Sequence, residues 1–147
     1  MNMNPTVKKT HELLISVKNS DIKEHSEGWT IKEIVGHLID SASNNHQRFI
    51  RYSESDQITF PSYDQNECVK RASYNQSKFN DLISLWLLYN ELITQFIPHI
   101  PESALKQNVF IGNFDPVTMQ FLIEDYYSHM EKHRQQMLRI LKQNLNS

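Results

Sequence analysis

The chain has 147 residues, 39% of them apolar, with a formal net charge of −2 and a single cysteine. That is one domain's worth of chain, with one core and no basic face for nucleic acid. A lone Cys68 excludes an internal disulfide and fits a reducing, cytoplasmic setting. Met1 to Thr10 carries no apolar leader core. The longest apolar run, Leu82 to Tyr89, is broken by Ser84 and too short to span a bilayer, so no membrane partner is expected.

Four helices are predicted in chain order. The first covers roughly Thr6 to Lys18 behind Pro5, with Val7, His11, Leu14 and Lys18 on one stripe. The second opens at Thr30, where T-I-K-E reads as a capping box with Glu33. It runs on through Ile31, Ile34, Val35, Leu38, Ala42, Asn45 and Phe49. A polar stretch, Ser53 to Tyr74, follows and contains Pro61 and room for a short helix at Asn66 to Arg71. The third helix spans roughly Gln76 to Ile97. Two apolar stripes are visible on it: Phe79, Leu82, Ile83, Trp86, Ile93 and Ile97 on one, and Leu85, Leu88, Leu92 and Phe96 on the other. The second stripe marks either a homodimer interface or a contact with the first helix. The connection Pro98 to Phe114 holds one brief extended segment, Val109-Phe110-Ile111. The fourth helix is expected from Asp115-Pro116 onward, through Met119, Leu122, Tyr126, Met130, Met137 and Ile140. Strand-like alternation is almost absent. The expected fold is all-α, a four-helix bundle formed by a single domain, residues 1–147.

Three histidines stand out. His129 and His133 lie in H-M-E-K-H, one turn apart and therefore on one helical face. His37 lies on the second helix, at the edge of its apolar stripe. Three imidazoles at the rim of a groove would hold a divalent metal ion and leave positions open for water or substrate. Ordinary structural histidines are the competing reading. The zincin pattern is absent, because Met130 follows His129 and Glu131 points to the opposite face. A general base must come from elsewhere. Asp125, one turn before His129, is the candidate, and Asp40, three residues after His37, is similar. Both could equally be surface carboxylates. His11, His25, His46 and His99 have no partner spacing, and Cys68 has no histidine nearby in sequence. Gly36, beside His37, is a helix-interior glycine that would let a neighbouring helix approach.

Taken together, W-T-I-K-E-I-V-G-H-L-I-D-S with the following N-H-Q-R-F, the polar stretch and apolar third helix, and D-Y-Y-S-H-M-E-K-H-R-Q-Q-M resemble the DinB-like superfamily. That superfamily includes the YfiT-like metal-dependent hydrolases. The resemblance spans most of the chain. It implies an up-down-down-up four-helix bundle, a zinc or nickel ion on His37, His129 and His133, and frequent homodimers. It implies no polymerase activity and no DNA binding. Characterised members of the superfamily are thiol S-transferases and thiol-dependent isomerases, so it implies a low-molecular-weight thiol co-substrate. Arg48 and Arg51, following His37 on its helix, would then meet the carboxylates of such a thiol, or equally form a solvated face. Tyr63, Tyr74, Phe110 and Phe114 would line the pocket of a small-molecule substrate. Hydrolysis with Asp125 as base, and a non-catalytic binding module, are the alternatives.

Overall fold

A computed structural model describes residues 3–54 and 56–146. Helix α1 covers Pro5–Ser16, α2 Ile31–Ile50, α3 Gln65–Ala72, α4 Phe79–Phe96, α5 Glu102–Leu105 and α6 Met119–Leu145. Three short strands, β1 at Ile58–Phe60, β2 at Asn108–Ile111 and β3 at Val117–Thr118, form one small sheet in the order β1-β2-β3. The helices α1, α2, α4 and α6 form a bundle. Both α1 and α2 pack on α4 and on α6, so α1 and α2 face each other across the diagonal.

The long helices form where the apolar periodicity places them. Val7, Thr10 and Leu14 bury one face of α1. Thr30 and Glu33 complete the capping box of α2 in both directions, each bond 3.1 Å long. Leu82, Ile83, Trp86 and Ile93 of α4 and Met119, Tyr126, Met130, Met137 and Ile140 of α6 belong to one core. A buried polar link ties these two helices. The Tyr126 hydroxyl donates to Asn90 Oδ1 at 2.6 Å, and Asn90 Nδ2 donates back to the Trp86 carbonyl at 2.9 Å. Oxygen and nitrogen of the Asn90 amide each have a partner, which is what a polar group in a core requires.

Three expectations are corrected. The last helix starts at Met119, not at Asp115-Pro116. Residues 117 and 118 are drawn into an antiparallel pairing with β2, and Thr118 then caps the helix by accepting from Phe121 N at 3.1 Å. The third long helix starts at Phe79, because Tyr74–Gln76 forms a separate 3-10 turn. Strand structure is also richer than one extended segment, since β1 pairs in parallel with β2. Of the second stripe of α4, Leu85, Leu88 and Leu92 stay exposed, while Phe96 is partly buried against the core. Among the described residues no helix is long and apolar enough to cross a membrane.

The segment between α3 and α4 locks α2. Ser73 takes the left-handed conformation, with φ of 54°, and reverses the chain after α3. The turn that follows binds the start of α2, with the Thr30 hydroxyl donating to Asn75 Oδ1 at 2.7 Å and Lys32 Nζ to the Asn75 carbonyl at 3.3 Å. It also lays the Tyr74 ring on Gly36. A Cβ at Gly36 would stand 2.1 Å from Tyr74 Cδ2. So Gly36 admits an aromatic ring, not a neighbouring helix. The Tyr74 hydroxyl reaches on to Asp40 Oδ1 at 2.5 Å. Burial raises the pKa of Asp40, and the bond from Tyr74 acts against that rise. Replacing Gly36 with alanine should destabilise the protein by about 1–3 kcal/mol through overpacking, despite alanine's better helix propensity. Tyr74→Ala in the same chain should recover part of that loss, so the two changes are non-additive in urea unfolding. A stability unchanged by Gly36→Ala would show that the ring is not held there.

Candidate metal centre

The three histidines converge. His37 Nε2 lies 3.0 Å from His129 Nε2, and His133 Nε2 lies 3.1 Å from the same atom. Their ligand atoms all fall within 4.8 Å of one another. His37 projects from the middle of α2 and is fully buried, deeper than the groove edge expected from its place on the helix. The reason is tertiary: the Trp29 ring, ahead of the Thr30 cap, lies 4.9 Å from the His37 ring and covers it. His129 and His133 project from α6 one turn apart and are half-buried.

This donor set fits a divalent ion. A neutral imidazole nitrogen carries either one proton or one lone pair. His129 Nε2 faces two other Nε2 atoms at hydrogen-bond distance, and one lone pair cannot serve both in plane. A metal ion resolves the conflict, since two nitrogens each about 2.1 Å from one ion at a right angle lie about 3.0 Å apart. The rings are also held in the neutral form that ligation needs. Burial, then the two neighbouring imidazoles, lowers the pKa of His37 to about 3. Burial and His133 lower that of His129 to about 4, with Asp125 acting in the opposite sense. Burial also lowers the pKa of His133. Gln136, one turn on, accepts from His133 Nδ1 at 2.9 Å, which leaves the Nε2 lone pair facing the cluster.

Beside the cluster lies an open cleft of about 320 Å³ between α2, α6 and the sheet. His129 lies on its wall, together with Ser41, Asn45 and Arg48 of α2 and Asp125 of α6. Ser62, Tyr63, Ile111 and Phe114 complete the rim. Asp125 is exposed on the same cleft as His129 but is not part of the three-histidine cluster. Arg48 is brought to the cleft and Arg51 is not. Arg51 is the residue at which α2 ends, and its guanidinium lies over Phe60, 5.6 Å from the ring centre. Tyr63 and Phe114 line the cleft as expected; Tyr74 lies instead on Gly36, and Ile111 of β2 stands on the wall where Phe110 was expected. Glu131 turns away to pair with Arg134 at 2.6 Å. Asp40 is engaged by Tyr74. His46 packs between Tyr89 and Phe96, a structural role. Sequence reasoning missed Ser41, Asn45 and Ser62 on the cleft. Ser41 and Asn45 were legible as the residues one and two turns beyond His37.

Removing the support of one ligand tests the site. Gln136→Leu should weaken divalent-metal affinity by roughly 10–100-fold, because it frees the His133 ring to rotate and change tautomer. Competition titration with a chromophoric chelator measures this. Unchanged affinity would mean that Gln136 does not orient the ligand.

No family model and no curated protein matches the chain. Among solved structures it is similar to YfiT from Bacillus subtilis, described as a probable metal-dependent hydrolase with an unusual four-helix bundle topology. The two superpose with a TM-score of 0.82, over 94% of this chain and 81% of that one, at 16% identity. With a three-histidine cluster between its second and last long helices, the chain thus has the four-helix-bundle fold of the YfiT type.

Proposed function

We propose that this protein is a metal-dependent enzyme that activates a low-molecular-weight thiol for transfer to an electrophilic small molecule. The carrying observation is the donor set: three converging imidazoles, one of which, His129, lies on the wall of an open cleft, with no carboxylate or thiolate joining them among the described residues. A divalent ion such as zinc or nickel held by His37, His129 and His133 would keep its full positive charge and lower the pKa of a thiol in an open position. Neutral ligands on the protein therefore favour an anionic sulfur from the substrate side. No general base beside the histidines is then required.

The remaining tasks fall to the protein's own side chains. Tyr63 and Phe114 enclose an apolar body, and Ser41, Asn45 and Ser62 offer hydrogen bonds along one wall. In the transfer, a bond forms between thiol sulfur and an electrophilic carbon. The bond from that carbon to the leaving group breaks, and the leaving group takes the electron pair. The proton lost by the thiol passes to solvent through the open cleft and balances that charge.

Hydrolysis is the second reading, with water as nucleophile and Asp125 as its base. It is favoured by the presence of Asp125 on the same cleft as His129 and by the description of YfiT as a probable metal-dependent hydrolase. The two readings separate cleanly. In the first, turnover of an alkylating electrophile requires both metal and added thiol and persists well below the free thiol's pKa of about 8.5. His129→Ala should abolish it while the bundle stays folded. In the second, turnover is independent of thiol, and Asp125→Asn costs roughly 100-fold or more in kcat. Thiol-independent turnover would overturn the first reading.

The exposed stripe of Leu85, Leu88 and Leu92 supports a homodimer. Light scattering at micromolar concentration should give twice the chain mass, and Leu88→Glu should shift it to a monomer. A monomeric parent protein would dismiss the interface.

A further inference from the structure

Among the described residues Arg48 is the one cation on the wall of the cleft, and only 8% of its surface is exposed. Among the described residues no carboxylate lies within ion-pairing distance of it and no acceptor hydrogen-bonds to it. Its guanidinium faces only the ring of Tyr63, with Cζ 5.9 Å from the ring centre. An arginine so largely enclosed, with no protein acceptor, keeps its donors for whatever fills the cleft it lines. Its burial lowers its pKa, the direction expected of a charge lacking a partner. The acid on the same cleft, Asp125, is exposed and forms no ion pair with it.

We propose that Arg48 is the counter-ion for a carboxylate on the small molecule that reacts at the three-histidine centre. The assignment rests on the metal-dependent reading above for the position of the reacting atom. It adds the chemical class: a substrate or thiol bearing an acid group away from its reactive end. A guanidinium presents a planar fork of donors that matches a carboxylate with two parallel bonds. One carboxylate cancels one positive charge. The second charge of a phosphate monoester would find no further cation on this wall and would face Asp125. His37, Ser41, Asn45 and Arg48 follow one another along α2 at intervals of three and four residues, so the metal ligand and the counter-ion belong to one stripe of one helix.

The probes are mercaptohexanoate and mercaptohexanol, titrated into cobalt(II)-loaded protein and followed through the cobalt absorption bands. Mercaptohexanoate should bind about tenfold or more tightly, the worth of a charge-assisted pair. Arg48→Gln should reduce that preference to less than about twofold with cobalt affinity unchanged, and Arg48→Lys should keep part of it. Equal affinities in the unsubstituted protein, or a preference that survives Arg48→Gln, would overturn the proposal. Metal-free protein separates this inference from the metal reading. Hexanoate, but not hexanol, should shift the Arg48 Nε–H resonance in nitrogen-15 spectra even where cobalt fails to bind. No shift overturns the arginine subsite independently of the fold of any variant. Tighter binding of hexyl phosphate than hexanoate overturns the carboxylate.

Discussion

Everything at the candidate centre depends on holding two helices in register. His37 and His129 are 92 residues apart in the chain, yet their Nε2 atoms meet at 3.0 Å. A slip of one residue along a helix moves a side chain by 1.5 Å and swings it by about 100°. Either displacement would scatter the cluster. The register is set by large, rigid contacts. Phe49 of α2 packs edge-on against Tyr126 of α6, and Tyr126 is in turn bonded to Asn90 of α4. On the other side of α2, Tyr74 lies on Gly36 and bonds to Asp40, gripping the helix one residue before and three residues after His37. The ligand is therefore clamped from the core and from the α3–α4 connection together.

This clamp explains which sequence features were readable. The four long helices are legible because apolar residues recur at helical spacing over many turns, and T-I-K-E specifies its own cap. H-M-E-K-H is legible because four residues are one turn whatever the fold around them. Of the strands only β2 is, as Val109-Phe110-Ile111; β1 and β3 have too few residues to display alternation, and the partner of β1 lies some fifty residues away. Asp115-Pro116 imitates a helix start. The true cap is Thr118, followed by M-Q-F with no acidic residue to complete a capping box.

The site shows the same division. Spacing along one helix predicts that two histidines share a face, but not how deeply a third is buried. The burial of His37 comes from Trp29, whose position depends on the chain bending before Thr30. Arg48 and Arg51 look equivalent at a separation of three residues. They part because α2 ends at Ile50, so the helical rule no longer governs Arg51. Tyr74 was expected in the cleft by its place in a long connection. A single left-handed residue, Ser73, sends it to the opposite side of α2.

The ligands and the rim of the cleft come from different kinds of structure. His37, His129 and His133 stand on the two longest helices, whereas Ser62, Tyr63, Ile111 and Phe114 belong to the short sheet and its flanking segments. Phe114 is 72% exposed, in a turn that begins at Gly112 with φ of 53°. Such a turn accommodates exchange, lengthening or shortening with little consequence for a bundle core it does not enter. The architecture thereby uncouples two evolutionary tasks. Selection can reshape what the cleft admits by altering a few rim residues while the histidine cluster on its helices stays untouched.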